Sequence, residues 1–415
     1  MPSPPERLLL LLPTTTYRTQ AFVDAASKLG VDLVCASERP STFEERAPDH
    51  LLTLDFDDPA AAAARVARFA ATRPIDAVVG VDDLTTVVAA SIAARLGLKA
   101  NPVAAAAAAH DKREMRRRLH AAGVPQPRFT SLALTEDPAR AAATAGYPCV
   151  LKPLALSASR GVIRANDPDG FVAAFRRIAA ILRRDDVSVS GAAADALLVE
   201  EFVPGLEVAL EGLLMAGGLQ TLALFDKPDP LDGPFFEETL YVTPSRLPQD
   251  VQERIAHVTL RACAALGLTE GPVHAELRVN ERGPWVIEVA ARSIGGLCSR
   301  TLRFGTGMTL EELILRHALG WKIESLDRER RAAGVMMLPI PRAGRLRAVH
   351  GKDAAEAVPG VEEVAITAHV GQELVPLPEG WQYLGFVFAR AETPAAVERA
   401  LRAAHACLAF DIADR

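Results

Sequence analysis

Five consecutive leucines, at residues 8–12, constrain this chain more than any other feature. A run that is apolar at every position has no face to give to water, so it must be covered on both sides. It lies between Arg7 and Pro13, too short for the roughly 7–15 apolar residues of a secretory signal and far short of the ~20 of a membrane span. A buried strand of a parallel sheet, with helices on both faces, accommodates it. The next hundred residues agree. Helical patterns at 19–29, 58–72 and 84–96 alternate with strand patterns at 31–36, 51–54 and 75–81. Gly30 and Gly97 stop two of the helices, and Asp57 or Asp58 caps the third. This alternation predicts βαβ units.

Beyond residue 100, Asn101-Pro102 opens a helix expected to run to about Ala121. Strands follow at 128–134 and 148–152 around a helix at 138–145, then a small-residue loop, 153–161, and a helix at 168–184. The small, polar stretch 185–195 reads as a mobile connection. Three strands (197–203, 207–215, 219–225) precede a long acidic loop at 227–241, a helix at 249–266 and a hairpin of 273–279 with 285–290. A helix at 310–319 leads to short strands and turns from Val335 and a final helix at 394–407. With 415 residues the chain has room for roughly two to four domains.

Composition narrows the function. A net charge of −6 argues against a nucleic-acid binder that works by phosphate neutralisation. The five cysteines are far apart and lack a C-x-x-C pair, so neither a disulfide framework nor a zinc site is expected, and a cytoplasmic protein fits. Only seven of the 46 basic residues are lysine. Where arginine is the default cation, a lysine inside a motif is more often needed as lysine.

Four patterns carry chemistry. In the hairpin, centring the turn near residue 282 places Glu276 opposite Glu288 on one face, with His274, Arg278, Ala290 and Arg292 on the same side. Facing carboxylates destabilise a sheet unless a cation sits between them. Either Mg²⁺, which takes carboxylate and phosphate oxygens, or Arg278 and Arg292 could be that cation. Lys152 ends an apolar strand and enters a loop of small residues, including Ser157, Ser159 and Gly161, whose N–H groups suit phosphate oxygens. A solvated strand-end lysine is the alternative, and the loop is not a Walker-type P-loop. The segment 197–208, LLVEEFVPGLEV, sets Glu200, Glu201 and Glu207 about a strand broken at Pro204-Gly205. Lys112 precedes all of these.

Taken in this order, Lys112, V-L-K-P with its loop, E-E-F-V-P-G-x-E and the Glu276/Glu288 hairpin ending in Arg292 resemble the ATP-grasp superfamily over about residues 5–320. Segments DPLDGPFFEETLYVTPSRLP and VIEVAARSIGGL resemble its L-amino acid ligase, or carboxylate–amine ligase, branch. The resemblance implies a fold of α/β and α+β parts. These are a pre-ATP-grasp domain (1–101), a two-lobed ATP-grasp domain (102–325, small lid lobe about 148–203) and a C-terminal α+β domain (326–415). It implies that Lys112, Lys152 and Lys227 contact ATP phosphates. Glu200 and the backbone of Glu201 and Val203 would hold adenine, and Glu207 the ribose. Glu276 and Glu288 would hold Mg²⁺ or Mn²⁺, and Arg292 the substrate carboxylate and its acyl phosphate. Many members carry Asn where this chain has Ala290, which puts a second metal ion in doubt.

The reaction implied joins a small-molecule carboxylate to an amine, with amino acids as substrates, through an acyl phosphate; a homodimer is compatible with the family. Loops 155–161 and 226–240 are lid candidates. The segment 13–18, PTTTYR, follows the first strand, where open α/β sheets bind ligands, so it either lines the carboxylate pocket or caps a helix. Glu237 and Glu238 either attract an ammonium group or are solvated. His274 and His317 are structural or functional with equal weight. Two other readings stay open: a bicarbonate-activating carboxylase, and a nucleotide-binding module without ligase activity.

Overall fold

The computed structural model describes residues 5–187 and 193–414, in four sheets. The middle of the 185–195 connection lies outside the described residues.

The first sheet holds β1 (Arg7–Leu11), β2 (Asp32–Ser37), β3 (Leu51–Thr53) and β4 (Ala77–Gly80), all parallel, in the order β3-β2-β1-β4. The leucine run behaves as its composition requires. Leu8 and Leu10 pack with Phe22 and Val79 on one side, and Leu9 and Leu11 pack with Val66 and Ile92 on the other. Helices Thr19–Leu29, Pro59–Ala70 and Asp83–Leu96 supply the cover. Gly30, at φ 68°, closes the first of these in the left-handed conformation, and Asp58 caps the second through the Ala61 N–H at 2.9 Å.

The helix expected from Asn101 to Ala121 is two helices, Val103–His110 and Lys112–Ala121. The chain turns extended at Asp111, whose carboxylate accepts the N–H groups of Arg113 and Glu114 at 2.8 and 3.0 Å. This break makes Lys112 the first residue of the second helix, with its N–H bonded to the Leu154 carbonyl at 3.1 Å.

A second sheet takes β5 (Phe129–Ala133), β6 (Cys149–Pro153), β7 (Ile163–Ala165) and β8 (Ala196–Glu201), in the order β5-β8-β6-β7. The helix Pro168–Leu182 covers it. Its β5 lies before the lobe start expected near residue 148.

The remaining strands are β9 (Leu206–Met215), β10 (Gly218–Lys227), β11 (Leu240–Thr243), β12 (Gly271–Asn280), β13 (Gly283–Ala290), β14 (Ala332–Leu338), β15 (Gly344–His350), β16 (Val361–Ile366), β17 (Glu373–Leu374), β18 (Gly385–Ala391) and β19 (Ala409–Ala413). Eight form one sheet, β13-β12-β9-β10-β11-β14-β18-β16, and β17-β15-β19 form the fourth. The C-terminal segment is therefore divided, with β17-β15-β19 as its own sheet and β14, β18 and β16 in the eight-stranded one. Its β14 pairs with β11, so strands from either side of residue 326 share one surface. Two sequence expectations need correction here. Lys227 ends β10 rather than opening a loop, and residues 240–243 are a strand.

In the β12–β13 hairpin Glu276 does pair with Glu288. A bulge follows, so Leu277 pairs with Val286 and Arg278 with Trp285, one residue off the uniform register. The bulge leaves Ile287 without a partner and lets Ile287 and Glu288 both border the cavity described next. No helix among the described residues is long and apolar enough to cross a membrane.

Candidate functional site

A cavity of about 1010 Å³ opens where the first sheet's C-terminal ends, the small lobe and the eight-stranded sheet meet. Its floor is the hairpin, its roof the loop at 155–160, and its far wall the loops after β1 to β4. Segment 13–18 belongs to this wall: Pro13, Thr15, Thr16 and Tyr17 border the cavity. The helix-cap alternative fails, because Arg18 is the N-cap residue and makes no side-chain cap bond.

Cations and carboxylates enter the cavity in pairs. Lys152, 5% exposed, is not a solvated strand-end lysine. Its Nζ lies 2.7 Å from Glu200 Oε2, and the other oxygen of Glu200 accepts Arg116 Nε at 2.5 Å. Burial alone would raise the Glu200 pKa, but Arg116 and Lys152 together hold it below the usual carboxylate range. Burial pulls the Lys152 ammonium down, against the pull of Glu200. Lys112 links roof and floor, donating to the Leu156 carbonyl at 2.9 Å and to Glu288 Oε1 at 3.1 Å.

Lys227 sits among three carboxylates: Glu207 at 2.9 Å, Glu276 at 3.0 Å, and Glu238. Burial opposes its charge, but these carboxylates push its pKa well above the lysine norm. Glu276 is held well below its normal range by Lys227 and His274 in spite of burial, whereas burial and the charge on Glu276 push Glu238 up to about 7. Oxygens of Glu207, Glu238 and Glu276 lie within 4.8 Å of one another. An all-oxygen donor set of this kind fits a hard divalent cation.

The cations facing the carboxylate pair are Lys227 for Glu276 and Lys112 for Glu288. Arg278 and Arg292, the arginines named from sequence, have other partners. Arg278 binds Glu207 at 3.0 Å and the Val203 carbonyl at 3.1 Å, and lies over the rings of Phe202 and Phe236. Arg292 binds Asp83 across the cavity at 2.8 Å and the Ser293 carbonyl at 3.0 Å. Asp83 is thereby held below its usual range against the effect of burial.

The other sequence candidates divide. Ser157, Ser159, Glu201 and Val203 border the cavity. The Glu201 carboxylate turns to Arg128 at 2.7 Å. Gly161 departs from expectation. Its N–H donates to the Pro378 carbonyl at 2.9 Å, so it is not open to a phosphate. Glycine is needed there for another reason, since at φ 73° an added Cβ would lie 2.8 Å from Pro153 Cγ. His274 is buried between Glu211, at 3.1 Å, and Glu276, at 3.6 Å. His317 accepts the Gly271 N–H and lies outside the cavity. Glu237 also borders no part of it, and burial raises its carboxyl.

Two buried groups, Glu211 and Arg116, were missed, and Arg18 ends the segment 13–18 beside them. Glu211 accepts the Ile294 N–H at 3.0 Å and so fixes the loop after β13. Arg18 reaches Ser293 Oγ at 2.6 Å. Arg116, unexposed, gathers Glu200 with the Val286 and Ile287 carbonyls at 3.2 and 2.6 Å. The bulge turns those carbonyls toward it. Arg116→Ala is expected to cost about 3–5 kcal/mol, because it strands buried acceptors; urea denaturation measures it, and a loss below about 1 kcal/mol contradicts this account.

Residues 145–301 match the family model of the ATP-grasp domain. The chain carries an ATP-grasp domain. The ATP-grasp N-terminal domain model matches residues 23–99, and that of the L-amino acid ligase C-terminal domain 2 matches 336–413. The uncharacterized protein y4rH of Sinorhizobium fredii is 29% identical over 298 residues, 71% of this chain and 59% of its own length. The alanine–anticapsin ligase of Bacillus subtilis is 28% identical over 253 residues, 58% of this chain and 53% of its own length. The chain thus spans little more than half the length of these curated relatives. An L-amino acid ligase structure from Bacillus licheniformis superposes with a TM-score of 0.80 at 24% identity, covering 99% of this chain and 100% of that one. The expected fold holds: a βαβ N-terminal unit, an ATP-grasp unit and a C-terminal α+β unit.

Proposed function

We propose that this ATP-grasp protein is a ligase that joins a small carboxylate to an amine, amino acids in both cases, through an acyl phosphate. The observation that carries this reading is the convergence of Lys112, Lys152 and Arg292 on one cavity that the Glu276/Glu288 pair also borders. The boundaries 1–101, 102–325 and 326–415 are proposed as its functional units, with the shared sheet joining the last two.

ATP would lie between the small lobe and the eight-stranded sheet. Glu200, fixed by Arg116, and the strand end at Glu201 and Val203 border the adenine end, and Glu207 the ribose. Lys112 and Lys152 neutralise phosphate oxygens, with Ser157 and Ser159 beside them. Lys227 reaches a phosphate only by releasing one of its three carboxylates. Glu276 and Glu288, with Glu238 in reach, would hold Mg²⁺ or Mn²⁺. When bound, that ion supplies charge neutralisation for the phosphates, the main need of phosphoryl transfer. In the first step a carboxylate oxygen attacks the γ-phosphorus and ADP leaves. Arg292 holds the carboxylate and then the transferred group with its planar fork. In the second, the amine nitrogen attacks the carbonyl carbon and phosphate leaves.

Lys152→Ala is expected to raise the KM for ATP strongly and leave the carboxylate KM almost unchanged. Lys152→Arg should also be impaired, because a planar fork does not replace a compact ammonium against Glu200. An unchanged ATP KM in the alanine variant removes the phosphate role. The reading as a whole is tested by phosphate release in bicarbonate-free buffer. It requires release that depends on an added amine, whereas release that needs bicarbonate supports a carboxylase instead.

A further inference from the structure

The roof of the cavity is held from outside. Ala158 and Ser159 in it adopt φ of 54°, a left-handed conformation that neither residue favours, so the loop does not set its own shape. The hold comes from the turn between β17 and β18. The Pro378 carbonyl accepts the Gly161 N–H at 2.9 Å, and the Glu379 carbonyl accepts Arg160 Nε at 2.9 Å. The Glu379 carboxylate takes both arms of Arg177, on the small-lobe helix, at 2.6 and 2.9 Å. The turn itself is stiff. Gly380 donates to the Pro376 carbonyl at 2.8 Å, and any side chain at residue 380 would strike the Val375 carbonyl. It is anchored through β18 in the eight-stranded sheet, and Trp381 at its end and Tyr383 just beyond it border the cavity.

We infer that the 376–381 turn is a strap that holds the roof loop closed over the reacting atoms and keeps water from the activated carboxylate. This rests on the ligase reading above. If the strap loosens, water replaces the amine. Its oxygen attacks the carbonyl carbon, the bond from that carbon to the phosphate oxygen breaks, and phosphate leaves. A proton is released and the carboxylate is regenerated, so the net reaction is ATP hydrolysis without an amide. Glu379 and Arg177 are positioning residues, since neither borders the cavity.

The test uses Glu379→Ala in the full chain, with two readouts. The first needs no substrate: trypsin cleavage after Arg160, which is only 5% exposed and is held by the Glu379 carbonyl and by Asp186 at 2.7 Å, followed by mass spectrometry. Its rate should rise about two- to fivefold, as expected for losing a partly exposed ion pair. The second is phosphate released per amide formed, which should rise above the wild-type ratio while ATP KM stays within about twofold. Exchanging the charges, Arg177→Glu with Glu379→Arg, should restore both. Unchanged cleavage in Glu379→Ala overturns the strap, and faster cleavage with an unchanged ratio overturns its role as a water seal. Absence of amide with the wild-type protein defeats the ligase reading instead, and the cleavage readout still decides whether the strap exists.

Discussion

Glu288→Gln is expected to abolish ATP turnover while the protein stays folded. Loss of a partner that only orients a metal ligand costs about 10–100-fold, so loss of the ligand itself should exceed that. The effect on folding is small and of definite sign. Facing carboxylates alone would make the substitution stabilising by relieving repulsion. Lys112 already pairs with Glu288, however, and the Glu288 side chain is 27% exposed. Removing such a pair costs at most about 1 kcal/mol, a shift of a few degrees in a chain of this size. Mg²⁺ titration by calorimetry with a non-hydrolysable ATP analogue gives a readout independent of turnover. Near wild-type turnover with unchanged Mg²⁺ affinity contradicts the assignment of Glu288.

Arg292→Met is expected to lower kcat by about 10²–10³, the usual cost of losing one donor to a developing negative charge, with ATP affinity nearly unchanged. It should also destabilise the fold slightly, by about 1 kcal/mol at most, because Asp83, whose side chain is 21% exposed, loses its partner. The two effects separate. In Arg292→Met with Asp83→Asn the orphaned charge is gone, so stability should return while kcat stays low. If the double variant recovers kcat, Arg292 serves only to neutralise Asp83 and has no part in holding substrate. Balancing Glu276 and Glu288, the other role open to Arg292 from sequence, is met by the lysines.

What the sequence discloses here follows from the range of each interaction. The pairing of Glu276 with Glu288 was legible because period two and a short turn fix it locally. The bulge beside it was not, since the carbonyls it frees are taken by Arg116, distant in the chain, and Arg116 stands in a run of arginines that reads as a solvated helix surface. The break at Asp111 had a signal that was passed over: Asp111 and Glu114 have the spacing of a capping box. Partners distant in the chain left no trace. Arg292 and Asp83 are 209 residues apart, and Lys227 finds its carboxylates on β9, β12 and the loop before β11. The sharing of one sheet by the ATP-grasp and C-terminal units rests on β11 meeting β14, a pairing between short apolar segments with many equivalent partners. Family resemblance supplied roles for residues such as Lys112, whose spacing alone carries none.

The most direct test of the proposed chemistry follows one oxygen. Amino acid pairs are first screened for ATP-dependent phosphate release, and the carboxylate substrate of the most active pair is then labelled with ¹⁸O in its carboxyl group. If that oxygen attacks the γ-phosphorus and leaves with phosphate when the amine displaces it, each phosphate released carries one ¹⁸O and the amide retains the other. Unlabelled phosphate, or release of AMP and pyrophosphate in place of ADP, would contradict the acyl phosphate and with it the ligase mechanism proposed for this site.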